Sequence, residues 1–295
     1  MAHLSFDHGE RRRWHYTPRD RAGVSMAELG RSQAKAAHRL VAAGVRFPTY
    51  ARLVSIVGLE DVLDAAEGGR ADRHAGDYWV AVFGDPDDEG EWGWRFEGHH
   101  VSVNYTVTGT RVAATPLFLG ANPAHVTDGS ATVLRPLGRE EDLALALLDA
   151  MDERQRARAV FSDAPPPDIV TGEQPGTPPE LEPRGVAGAD LAGDAADLLQ
   201  ALARTFVERL PEELARPRLA ELEEHGVADL HFAWAGELAV DRRHYYRLQA
   251  PGLLAELDDT EPDGNHVHTV LRDPDDDFGE GLLAAHHRAH HQPGP

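Results

Sequence analysis

The chain has 295 residues, 41% of them apolar, and 29 basic against 50 acidic side chains leave a net charge of −21. That is enough apolar material for a substantial core, while the negative balance repels phosphate backbones and anionic lipid, so neither nucleic acid nor a membrane is an expected partner. Cysteine is absent, which excludes disulfides, iron–sulfur clusters and thiol nucleophiles and leaves nitrogen and oxygen to ligate any metal.

The amino-terminal "MAHLSFDHGERRRWHYTPRDR" contains arginines with no apolar stretch behind them, and no run of about 18 apolar residues follows anywhere, so a cytoplasmic location is expected. From Met26 to Ala43 the residues Met26, Leu29, Ala36, Ala37, Leu40 and Val41 recur at helical spacing, with Gly44 as the stop. A second helix is expected over Tyr50 to Glu67, and its stripe of Leu53, Ile56, Val57 and Leu63 is assigned to the core.

The segments "DYWVAVFG" and "WGWRFEGHHVSVNYTVTGTRVAATPLFLG" are rich in aromatic and β-branched residues and read as strands. In "HHVSVNYTV" the alternation puts Val101, Val103, Tyr105 and Val107 on one face and His100, Ser102, Asn104 and Thr106 on the other. Helix returns over Glu140 to Val160. The following "SDAPPPDIVTGEQPGTPPELEPRG" is too rich in proline and glycine for a regular element and reads as a surface loop at about 164–188. Helices are expected from Ala189 to Glu224, then strands in "DLHFAWAGEL", "HYYRLQAPGLLAEL" and "NHVHTVLRD", and a last helix in "GEGLLAAHHRAHH". The halves flanking the loop each hold an incomplete strand set, so one composite α+β domain over 1–295 is expected, a mixed or antiparallel sheet core with flanking helices.

Six of the 17 histidines fall between Gly264 and His291. His266 and His268 project the same way from an extended segment, a spacing that lets two imidazoles reach one ion at about 2 Å. His100, at the head of another strand, is the third candidate metal ligand, and its neighbour His99 is assigned to an outer shell or to substrate. Glu256 follows the apolar "GLLA" and is expected to be buried as ligand, base or structural group, in contrast to an exposed acidic run beside it. His286, after Leu282 and Leu283, is the fourth candidate ligand; His290 and His291 read as solvated tail residues, and Asp275 and Asp276 as a solvated turn. Arg247 and Arg272 are expected near the site as anion clamps, or else as structural ion pairs.

With these pieces in view, "WGWRFEGHHVSVNYT", "FLGANPA", "FAWAG", "HYYRLQAPGLLAEL", "NHVHTVLRD" and "DFGEGLL" resemble domain-of-unknown-function family 3500. The resemblance implies that they belong to one recurring module, and it brings no activity with it. Two departures fall beside the proposed ligands, at Leu257, Asp258 and Asp259 after the strand glutamate and at His287 after the last ordered histidine.

The functional expectation is a metal-dependent enzyme acting on a small molecule. Its divalent ion is expected to be iron or copper, with zinc as the alternative, held by His100, His266, His268 and His286. Oxygen-dependent oxidation is favoured by a sulfur-free ligand set with Trp92, Trp94, Tyr245 and Tyr246 expected nearby. A zinc hydrolase with Glu256 as base, and a non-catalytic metal- or ligand-binding module, remain the alternatives.

Overall fold

The computed structural model describes residues 3–69, 74–87, 90–262 and 264–290. Two four-stranded meanders build its centre. The first comprises β1 (Tyr78–Phe83), β2 (Glu91–Gly98), β3 (Val101–Thr108) and β4 (Leu117–Ala121). The second comprises β5 (His231–Gly236), β6 (His244–Ala250), β7 (Leu253–Asp259) and β8 (Val267–Arg272). They join through β4 and β8, giving the order β1-β2-β3-β4-β8-β7-β6-β5 with every neighbour antiparallel. Short edge pieces bring the sheet to 13 strands and make it mixed, since His3–Leu4 and Val160–Ser162 pair in parallel with β1 and β5. The class is α+β, as expected.

One face of this sheet is apolar. Val101, Val103, Leu117, Leu119, Val267, Leu271, Leu257, Tyr246 and Phe232 belong to a single buried cluster with residues of the helices. These are α1 (Arg31–Gly44), α2 (Phe47–Ala66), α3 (Gly138–Ala150), α4 (Glu153–Ala159), α5 (Asp194–Val207) and α6 (Glu212–His225). Burying such side chains stabilises by about 1.5–3 kcal/mol each and holds both meanders against one helical layer.

The helix expected from Met26 is instead a short 3-10 turn, Met26–Glu28, before α1, with Gly30 at the break. The helix expected over Glu140 to Val160 is divided at Met151, where Asp152 accepts the amide of Gln155 and Gln155 returns the bond, a cap that starts α4 afresh.

The opposite face is polar yet buried. Arg95, Glu97, Ser102, Asn104, Thr106, Arg247, Glu256, Asp258 and Arg272 are each no more than 3% exposed. Two irregular segments cover it: the amino-terminal arm, whose Trp14 and Tyr16 cluster with Phe118, Val270, Ile169 and Phe278, and the proline-rich segment, whose Ile169 and Thr171 are buried. That segment is therefore a strap across a sheet face, and its backbone groups draw on the polar residues beneath it.

Candidate metal centre

β2 and β3 are joined by His99 and His100 alone, since Gly98 pairs with Val101. At the second loop position His100 has φ of +62°. This left-handed conformation favours glycine and costs another residue about 1–2 kcal/mol. Two backbone bonds hold it: its N–H donates to Tyr16 O at 3.0 Å, and its C=O accepts from Gly120 N at 2.7 Å. The imidazole is thus carried by the turn and placed on the polar face.

There it meets the two histidines of the other meander. Nε2 of His100 lies 2.8 Å from Nε2 of His266, the separation of two nitrogens bound at a right angle to one ion about 2 Å away. His268 completes a group whose ligand atoms lie within 4.8 Å of one another. Gly120 makes the room: a Cβ there would lie 2.8 Å from Cδ2 of His100 and 3.0 Å from Cδ2 of His268. Tyr16 and Phe118 are the rings against His268, at 5.1 and 5.4 Å.

Carboxylates surround this triad. Nδ1 of His268 faces Oδ1 of Asp168 at 3.1 Å and Oδ1 of Asp258 at 3.4 Å, while Nδ1 of His266 lies 3.7 Å from Glu261. Burial alone would lower the pKa of His268, but the charge of Asp258 and the hydrogen bond that the ring donates to Asp168 override it and raise it to about 10. Burial raises the pKa of Asp258 against the opposing His268 charge; for Asp168 burial is outweighed by His268, the Ile169 amide and Tyr16, and the pKa falls. Carboxylates on the remote nitrogen of a ligating histidine fix its tautomer and increase its basicity.

His99 stacks on His100 with ring centroids 3.6 Å apart, and its Nδ1 is 2.6 Å from Oε1 of Glu60 on α2. His99 and Glu60 line a cleft of about 370 Å³ with Trp79, Asp77 and Arg21. Arg21 is not a clamp for a ligand: its N–H groups go to Glu97 and to the carbonyls of His15, Thr17, Arg19 and Gly98.

Four expected site residues lie elsewhere. Glu256 is buried as expected, but it accepts the amides of Val170 and Thr171 and the hydroxyls of Thr171 and Tyr245. Its lone pairs are occupied, and it anchors the strap. Arg247 donates to the carbonyls of Leu181 and Pro183, again in the strap. Arg272 binds Asp277 at 2.7 Å and the carbonyl of Gln174 at 2.6 Å. Among the described residues neither arginine pairs with Glu256, and both are tied to carbonyls of the strap. His286 sits on α7 (Glu280–His290), which packs with its preceding turn on the far end of β3, where Phe278 O accepts from Thr106. Thr106 is six residues along the strand from His100, about 20 Å, and among the described residues His286 joins none of the potential ligand groups. His287 pairs instead with Glu91 at 3.1 Å, and His291 lies outside the described residues.

The four expected aromatics also miss the triad. Trp94 stacks on Tyr105 at 4.6 Å, Tyr246 donates to Glu140 O on the helical face, Tyr245 serves Glu256, and Trp92 packs against the main core cluster. The acidic run beside Glu256 is not exposed: Asp258 and Asp259 are 1% and 0% accessible, because both faces of β7 are covered.

The residues that went unforeseen are Asp168, Asp258, Glu60, Gly120 and Tyr16. Glu60 carried a signal, standing four after Ile56 and three before Leu63 on the apolar stripe of α2. Asp258 carried another, sharing its strand face with Glu256. Asp168 carried none, since no periodicity places a residue of a proline-rich segment.

The family described as "Protein of unknown function (DUF3500)" matches residues 1–280, and the chain belongs to it. Comparison with curated proteins and with solved structures gave no match.

Proposed function

We propose that the chain is a metal-dependent enzyme whose ion is held by His100, His266 and His268 and which acts on a small molecule. The observation that carries this reading is the convergence of three imidazoles from two separate meanders, with ligand nitrogens within 4.8 Å of one another. A strained turn, a glycine where any side chain would strike two of the rings, and carboxylates at Nδ1 of His268 all support it. Three nitrogen ligands leave positions open, and such a sulfur-free set suits iron(II) or copper, with dioxygen as co-substrate. Bound, the ion would supply an open coordination position for dioxygen or water. The chain's own part is to orient the ligands and, through Tyr16 and Phe118, to keep water from one side of His268.

A zinc-dependent hydrolysis is the second reading, favoured by one feature: the Glu60–His99 pair at 2.6 Å lines the cleft beside His100, as a proton acceptor would. Glu256 has no part in it, its oxygens being occupied. Both readings carry no nucleic-acid partner, on the strength of the net charge of −21. Among the described residues no helix is long and apolar enough to cross a membrane.

Elemental analysis of tag-free protein tests the reading. At least one equivalent of iron, copper or zinc is expected, with one equivalent lost in His266→Ala at an unchanged melting temperature. Oxygen consumption by the iron or copper form against ester or amide cleavage by the zinc form separates the two chemistries. Equal metal content in wild type and His266→Ala would end both.

A further inference from the structure

Cδ2 of His268 lies beside Gly120 together with Cδ2 of His100, so the adjacent Nε2 is the nitrogen that His268 would give to the three-histidine centre. Its Nδ1 lies 3.1 and 3.4 Å from Oδ1 of Asp168 and of Asp258, and these three residues again offer ligand atoms within 4.8 Å of one another. Each carboxylate has its second oxygen pinned by a hydroxyl: Oδ2 of Asp168 accepts from Tyr16 at 3.0 Å, and Oδ2 of Asp258 accepts from Thr260 at 3.1 Å. Both Oδ1 atoms are thereby turned toward the same ring nitrogen.

A proton on Nδ1 serves only one of the two carboxylates well. One N–H makes one good hydrogen bond, and charge-assisted N–H to carboxylate bonds measure about 2.7–2.9 Å, whereas the two separations are 3.1 and 3.4 Å. Asp258 is 1% exposed, and its Oδ1 has no hydrogen-bond donor among the described residues. A buried carboxylate oxygen is costly to leave with no donor or cation closer than the 3.4 Å approach of His268. Ligands about 2.0–2.2 Å from one ion in tetrahedral array stand about 3.3–3.6 Å apart, close to the 3.1 and 3.4 Å from Nδ1 to the two carboxylates.

We infer that a second divalent cation binds between Nδ1 of His268 and the Oδ1 atoms of Asp168 and Asp258, so that the His268 ring bridges two ions. The inference rests on the three-histidine reading for its first ion. Zinc and copper fit the mixed nitrogen and oxygen set. On binding, the ring gives its Nδ1 proton to solvent, and no electron moves. Two metal–nitrogen bonds of about 2 Å and the width of one ring set the ions about 6 Å apart. The strap contributes Asp168 and therefore one ligand of this second site.

The test uses the full chain stripped with a chelator, titrated with zinc chloride, desalted and analysed for bound zinc. Two zinc ions per chain are expected, falling to one in Asp168→Asn, Asp258→Asn and His266→Ala. Asp168 has a side chain 41% exposed, so its variant keeps the fold even if the Asp258 variant does not. Loaded with copper(II), the wild type is expected to give an electron paramagnetic resonance signal that integrates to less than its copper content, and Asp168→Asn to restore the full signal. One zinc in the wild type, lost in His266→Ala and retained in Asp168→Asn, overturns the second site and leaves the first. Loss of all zinc in Asp168→Asn at an unchanged melting temperature also overturns it, since Asp168 would then only orient His268. Zinc unaffected by His266→Ala overturns the first site, and zero zinc overturns both.

Discussion

Gly120→Ala asks whether the two rings really need the space left for them. The glycine lies on β4 without positive φ, so alanine is conformationally allowed there and recovers about 0.5–1 kcal/mol of backbone entropy. Its methyl would arrive 2.8 Å from His100 and 3.0 Å from His268. To reach an ordinary contact of about 3.4 Å the rings must withdraw by about 0.6 and 0.4 Å, beyond the roughly 0.2 Å tolerance of a metal–ligand distance. Overpacking of this kind costs about 1–3 kcal/mol, so the net loss of stability is about 0–2.5 kcal/mol. Metal affinity is expected to fall at least as far as in outer-shell variants, about 10–100-fold. Isothermal titration with zinc, beside a thermal melt, reads both quantities. Unchanged affinity, or an affinity loss only as large as the unfolded fraction explains, would refute the steric argument.

Glu256→Gln is expected to destabilise by about 2–4 kcal/mol, because charge-assisted bonds of about 1.5–3 kcal/mol to the strap are weakened. The strap should then be cut by protease around Ala164 to Thr171 while metal content is retained; metal lost from an otherwise stable variant would return Glu256 to the centre. His244 lies fully buried on β6, and burial lowers its pKa below the ordinary 6.5, with the Glu141 charge opposing. Its neutral form is therefore the folded form, and its contribution is complete above pH 6.5 and is lost as pH falls toward the lowered value. Denaturant unfolding should show the wild type losing more stability than His244→Gln between pH 7.5 and 5.5, and parallel profiles would contradict this. His100→Gly should relieve the left-handed turn by about 1 kcal/mol while removing a ligand, so a melt that rises as metal content falls is expected; a melt that falls instead would count against strain at this turn.

What the sequence could disclose depended on whether a residue sat in a periodic element. Alternation in "HHVSVNYTV" and "NHVHTVLRD" located the faces of β3 and β8, and with them His268, because a strand has only two sides. The convergence of His100 with that pair needed the extra premise of one sheet, and β4 beside β8 supplies it. Glu256, Arg247 and Arg272 looked like chemistry for a sound reason, that buried charge must be compensated. Beside Asp277 on Arg272 and Tyr245 on Glu256, the compensation came from an irregular strap, which no spacing rule can place. His286 failed for a different reason: a helix fixes which residues share a stripe but not which end of the sheet it docks against.

The seam between the meanders also dictates when a metal can be taken up. Thr269 on β8 donates its hydroxyl to the carbonyl of Leu119 on β4, across 150 residues of chain, and His266 and His268 follow His100 by 166 and 168 positions. At synthesis rates of about 5–20 residues per second, His100 emerges roughly 8–35 s before its partners do. The first meander waits through that interval with one ligand, and the strap, made midway, waits for Glu256 and Arg247 to anchor it. Metal loading at this centre is thus an event of the finished chain, and any ion found there reports that both halves have docked.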